Sequence, residues 1–139
     1  MIVRTLESVV GTDRETVAET WTSRRLLLRR DGLGFSLHDT VVLAGTETTM
    51  WYRHHVEAVY CIEGNGELED HQAGETHSLG PGTLYVLDGH ERHTVRATTD
   101  LRMICVFDPP VTGRETHGDD GSFPLLAEDG TDRPGSTDA

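Results

Sequence analysis

Two stretches hold the residues best suited to chemistry: HHVEAVYCIEGNGE at 54–67 and GPGTLYVLDGHERH at 80–93. In the first, Glu57 stands among apolar neighbours. An unpaired carboxylate is costly to bury, so a nearby cation is its natural companion. His55 lies two residues before Glu57, and His93 closes the second stretch. Spacing alone nominates His55, Glu57 and His93, a two-histidine, one-carboxylate set of the kind that suits iron. The plain alternative is that most of the eight histidines of an acidic chain are solvated. His71, His77 and His90 sit in turn-like, polar contexts and read as surface.

These residues need a scaffold, and the chain spells out an all-β one. Segments 35–43, 48–52, 56–62, 66–70, 83–88, 93–97 and 101–107 are rich in Val, Tyr, Phe, Thr and Leu. Between them lie turn formers: Ala44-Gly45, Glu63-Gly64-Asn65-Gly66, Gly80-Pro81-Gly82 and Asp88-Gly89. Short strands at even spacing predict a sandwich or barrel. A parallel α/β fold would need intervening helices for which there is no space. Helix is expected only between Ser8 and Glu19, as a turn or two capped by Thr12 or Asp13.

Side chains alternate across a strand, so parity sorts each segment into two faces. Glu57, Val59 and Cys61 share one face. Tyr85 groups with Thr83 and Leu87, and Ser36, His38, Thr40 and Val42 form a part-polar face. Phase does not say which face points inward. A barrel that holds a ligand has a mixed polar and apolar lumen, which these faces match.

Composition bounds the rest. A chain of 139 residues suits one domain with its own core. The net charge of −12 argues against nucleic acid or an anionic membrane as partner. That acidity suits strong salt and ordinary cytoplasm alike. Two cysteines, Cys61 and Cys105, show no redox or zinc spacing. No apolar run is long enough to span a bilayer and MIVRTLESVV lacks a signal peptide's apolar stretch, so the expectation is a cytoplasmic protein with reduced thiols. From Asp108 the chain loses periodicity. Residues 1–126 are expected to form the domain and 127–139 a disordered tail.

A carboxylate on a strand followed by a Gly turn (Glu57 to Gly64) resembles the first cupin motif. A Pro-Gly turn, a strand and a histidine (Pro81, Gly82, His93) resembles the second. The adjacent His54 and His55 depart from the usual H-x-H pair. The stretches MIVR, HHVEAVYCIEGNGE, GTLYVLDGHERHTVRA, CVFDPPVTG and ETHGDDGSFPL together resemble the ectoine synthase family, from residue 1 to about 126. The resemblance implies a cupin-type β-barrel (a double-stranded β-helix or jelly roll) that cyclises N-γ-acetyl-L-2,4-diaminobutyrate to ectoine with loss of water. It also implies iron as cofactor and a homodimer. The family's metal ligands fall on Glu57, Tyr85 and His93, so spacing and resemblance disagree over His55 and Tyr85. A phenolate is a hard oxygen donor that iron accepts. The plain alternative for Tyr85 is a core tyrosine with its hydroxyl bonded.

The family's substrate pocket falls on Trp21, Arg25, His38, Thr40, Tyr52, Cys105, Phe107, Glu115 and His117. By that resemblance Arg25 offers a fork for a carboxylate. Trp21 and Phe107 supply apolar walls, and Thr40 and His38 orient polar atoms. Glu115 and His117 cover the mouth and handle protons, with Tyr52 assisting. Rival readings are an iron dioxygenase, a sugar isomerase or a sensor module. A dioxygenase normally keeps two histidines, and sensor modules are commonly fused to a DNA-binding domain, of which no trace occurs here.

Overall fold

Alternating apolar and polar residues on short segments, punctuated by glycine, leave the chain one economical way to bury its apolar side chains: antiparallel sheets closed face to face. The computed structural model describes residues 1–115. A helical turn, α1 (Leu6–Val9), precedes ten strands. They are β1 (Glu15–Val17), β2 (Trp21–Leu27), β3 (Ser36–Val42), β4 (Glu47–Met50), β5 (Val56–Glu63), β6 (Gly66–Asp70), β7 (Glu75–Leu79), β8 (Leu84–Leu87), β9 (His93–Ala97) and β10 (Leu101–Asp108). One sheet runs β1-β2-β3-β10-β5-β8 and the other β4-β9-β6-β7.

Burial resolves the phase ambiguity. Glu57, Val59 and Cys61 of β5 are buried, as are Ser36, His38 and Val42 of β3 and Leu101, Met103, Cys105 and Phe107 of β10. Their alternates Tyr60, Leu84 and Val86 are exposed. The turn Glu63-Gly64-Asn65-Gly66 requires its glycines. Gly64 has φ +92°, and a Cβ there would collide with the carbonyl of Asp100, as one on Gly66 would with that of Arg96.

Three strands and the helix differ from the sequence expectation. The expected helix between Ser8 and Glu19 is instead the single turn Leu6–Val9, with Thr5 rather than Thr12 or Asp13 as its cap; the Thr5 hydroxyl accepts the Ser8 N–H at 3.2 Å. Gly11 at φ +78° turns the chain, and the β-branched Thr16 and Val17 then pair with β2. β2 lacks an apolar alternation because its buried face holds Ser23 and Arg25. β7 is a polar, largely exposed edge strand. His90, expected at the surface, is partly buried, and its ring bonds two backbone carbonyls.

One ion cluster fixes β1 and β2 near the barrel's start. The Asp31 carboxylate receives a two-pronged pair of bonds from Arg14 (2.8 and 2.9 Å) and the Leu28 N–H at 2.8 Å. Chiefly through Arg14, this holds the Asp31 carboxyl well below the usual carboxylate range. A depressed folded-state pKa contributes stability above the unfolded value that is lost as pH falls through the folded one. Asp31→Asn is therefore expected to cost about 1–3 kcal/mol at pH 7, with the gap to the parent protein narrowing below about pH 4. Denaturant unfolding at pH 7 and pH 3 checks this; an equal gap at both values would show that charge plays no part.

Candidate active site

The inner face of the six-stranded sheet gathers the polar residues that parity sorted. On β5, Glu57 lies opposite Phe107 of β10 and Leu87 of β8. Val59, two residues on, lies opposite Cys105 and Tyr85. Tyr85 and Cys105 are thus diagonal neighbours of Glu57 on one face. Burial pushes the Glu57 carboxyl up to about 8, against the opposing hydrogen bond from the Cys105 thiol. Burial likewise raises the phenols of Tyr52 and Tyr85 and the thiol of Cys105 well above their ordinary values.

His93 arrives from β9 in the second sheet. It is fully buried, and its pKa falls to about 4 because burial disfavours the imidazolium. Its Nδ1 is 3.1 Å from the carbonyl oxygen of Glu91, to which it donates. Nε2 is buried without a hydrogen-bond partner among the described residues. The His93 ring centroid is 6.3 Å from that of Tyr85 and 6.0 Å from that of Tyr52. Tyr52 comes from the β4–β5 connection and stands edge-on to Phe107 at 5.0 Å.

β2 and β3 supply the other wall. Arg25 pairs in register with His38. It is 1% exposed, with Nε donating to Ser23 Oγ at 3.0 Å and Nη1 to Thr16 Oγ1 at 2.6 Å. Burial lowers its pKa, opposed by the charge of Glu115 and by Tyr52 and Cys105. His38 packs on Phe107 at 5.0 Å, with its Nε2 3.0 Å from Ser36 Oγ. The segment after β10 bends back over this wall: the Val111 N–H donates to Ser36 Oγ and the Arg29 N–H to the Val111 carbonyl. The Glu115 carboxylate accepts from Thr112 N–H (2.8 Å), Thr112 Oγ1–H (2.9 Å) and Gly113 N–H (2.9 Å).

Trp21, Arg25, His38, Thr40, Tyr52, Glu57, Tyr85, Cys105 and Phe107 line one cavity of about 490 Å³, its open mouth included. Tyr85 also lines a second cavity, shared with His93, between β8 and the four-stranded sheet. Ser23, Val42, Thr48, Met50 and Met103 join the first lining without having been nominated. Parity on β2 would have found Ser23 had that strand been recognised. His117 lies outside the described residues, as does the tail 127–139. His55 is buried edge-on to Phe107 at 5.7 Å. Among the described residues no three His, Cys, Asp or Glu side chains converge as a metal-holding group.

Two antiparallel sheets around a buried, part-polar cavity with shifted carboxyl and imidazole groups define a small-molecule enzyme on a cupin-type barrel. The family model described as ectoine synthase matches residues 1–127. The chain belongs to the ectoine synthase family, and ectoine synthesis is its function. It is 61% identical over 132 residues to the L-ectoine synthase of Thermobifida fusca, covering 95% of this chain and 98% of that relative. It is 57% identical over 129 residues to the L-ectoine synthase of Desulfosudis oleivorans, covering 92% and 100%. The crystal structure of ectoine synthase from P. lautus superposes with a TM-score of 0.83 at 57% identity, covering 91% of each chain.

Proposed function

We propose that the cavity closes N-γ-acetyl-L-2,4-diaminobutyrate to ectoine with release of water, a hydro-lyase reaction, with one iron ion held by Glu57, Tyr85 and His93. The observation that carries the metal reading is His93. A histidine that ligates a metal donates one ring N–H to a carbonyl or carboxylate and offers the lone pair of the other nitrogen. His93 has that pattern, with Nδ1 on the Glu91 carbonyl and a buried Nε2 lacking a partner among the described residues. Glu57 supports it, because a carboxyl pushed up to about 8 by burial gains from an adjacent cation. When bound, the ion supplies Lewis-acid polarisation of the amide carbonyl.

The remaining work falls to the chain. Ring closure joins the α-amine nitrogen to the acetyl carbonyl carbon. The amine gives up its protons, and the carbonyl oxygen departs as water, leaving a C=N bond. Arg25, anchored by Ser23 and Thr16, presents its fork to the substrate carboxylate. Trp21 and Phe107 confine the flexible chain and exclude water, while Thr40 and His38 orient its polar atoms. Holding amine and carbonyl in a near-attack geometry is worth about 7–11 kcal/mol in favourable intramolecular closures. The Cys105 thiol, diagonal to Glu57 on the same face, opposes the burial that raises the Glu57 carboxyl. Proton transfer is assigned to Glu115 and His117, with Tyr52 assisting. The Glu115 carboxylate accepts from three donors, and its charge opposes the lowering of the Arg25 pKa by burial.

The protein acts in the cytoplasm as a homodimer in this reading. Both cysteines are unpaired and buried, which suits a reducing compartment. β8 is a sheet edge with Leu84 and Val86 exposed, and edges of that kind are normally covered. Its acidity disfavours nucleic acid. Among the described residues no helix is long and apolar enough to cross a membrane.

Incubating the purified protein and Fe²⁺ with the acetylated diaminobutyrate, and following ectoine by chromatography, tests the reaction. Absence of product from metal-replete, folded protein would refute it. Glu115→Ala and His117→Ala are expected to lose about 10²–10⁴-fold in rate while keeping full iron, the range for acid–base groups. Loss of iron in either variant would mean that it, and not Tyr85, is a ligand.

A further inference from the structure

Among the described residues His90 is the one non-glycine residue with positive φ, at +54°. That conformation is costly for a side chain with a Cβ and persists where surrounding contacts enforce it. The contacts here are specific. His90 Nδ1 lies 3.0 Å from the Tyr52 carbonyl oxygen and 3.1 Å from that of His55. Two carbonyls can only accept, so this ring carries its proton on Nδ1 and shares it between them. In return the His90 carbonyl accepts the Trp51 Nε1–H at 2.9 Å.

The two segments so joined are the crossovers between the sheets. Residues 51–55 lead from β4 in one sheet to β5 in the other, and residues 88–92 lead back from β8 to β9. They flank every proposed ligand: Glu57 follows the first, and Tyr85 and His93 bracket the second. Tyr52, whose ring stands 6.0 Å from that of His93, lies on the first. A small shift of that crossover would move the Tyr52 ring relative to the cavity without exposing the core.

We propose that His90 is a positioning residue for ring closure. By bridging the carbonyls of Tyr52 and His55 it fixes the 51–55 crossover, and with it the Tyr52 hydroxyl, against the segment that carries His93. It rests on the reading that Tyr52 assists the chemistry. Its left-handed backbone lets ring and carbonyl face the same neighbouring crossover, which an extended residue at this point would not do.

The test compares His90→Gly, His90→Asn, Tyr52→Phe and the double variant His90→Gly/Tyr52→Phe, reading kcat, KM, melting temperature and iron per chain. Gly accepts the positive φ but lacks the donor, whereas Asn accepts it and offers an amide N–H. His90→Gly is expected to lose about 10–100-fold in kcat, the scale of a 1 Å misplacement, with KM changed by less than about threefold and iron retained. Asn is expected to restore most of the rate. In the Tyr52→Phe background the Gly change should cost less than about threefold further, because the two act as one unit. Normal kcat in His90→Gly, no rescue by Asn, or a full additive loss in the double variant would overturn the proposal. A silent Tyr52→Phe beside an impaired His90→Gly would overturn it too, while showing that the reading of Tyr52 is what failed. Should His90→Gly not fold, His90→Asp is compared with His90→Asn. The aspartate is similar in size and equally tolerant of φ but lacks the donor, so parental kcat in His90→Asp would refute the bridge.

Discussion

Tyr85→Phe is expected to abolish iron binding and turnover in a barrel that still folds, while His55→Ala keeps its iron. The change removes one oxygen and leaves the ring to pack beside Val59 and His93. If that oxygen is a metal ligand, its loss should exceed the roughly 10–100-fold in affinity that losing an outer partner of a metal site costs. His55 is buried with its ring edge-on to Phe107. Its removal leaves a cavity and loosens Phe107, effects on stability more than on metal. Glu57→Ala and His93→Ala serve as controls, because both are required by either ligand set. Iron per chain, measured with melting temperatures on protein purified without chelators, decides between them. Full iron in Tyr85→Phe with metal loss in His55→Ala would remove Tyr85 from the site.

Much of the barrel could be read from pattern because burial enforces period two. Glu57, Val59 and Cys61, or Ser36, His38 and Val42, fall on one face whatever the neighbouring strands do. Parity also put Tyr85 with Leu87 on one face, and the burial of Leu87 turns that face inward. It could not say whether that tyrosine packs or ligates, since both roles need the same direction; only likeness to a family separates them. β2 escaped notice because its inner face is functional. Ser23 and Arg25 occupy positions where a structural strand would carry Val or Leu, so the chemistry erased the signal of the element that carries it. The helix expected over 8–19 failed on local grounds. Gly11 breaks it, and Thr16 and Val17 find a ladder partner in β2. His90 was illegible for a different reason. Its partners Tyr52 and His55 are 38 and 35 residues away, and a histidine in a Gly-rich turn resembles any solvated loop residue.

Arg25→Lys should raise KM steeply and leave metal content unchanged. The guanidinium spends one N–H on Ser23 and another on Thr16, and as a planar five-donor fork it can hold that anchorage and still bind a carboxylate. An ammonium has three donors on one atom and cannot span both anchors and a substrate. A hydrogen bond to a charged group is worth about 1.5–3 kcal/mol, so loss of one or two predicts a KM about 10–100-fold higher or more. Arg25→Ala goes further. It removes the fork together with its bonds to Ser23 and Thr16 and leaves a cavity at a position that is 1% exposed, so the alanine variant should also lose stability, which lysine in part preserves by filling the space. Steady-state kinetics and denaturant unfolding on the two variants separate these contributions. An unchanged KM in Arg25→Lys would show that the substrate carboxylate is held elsewhere.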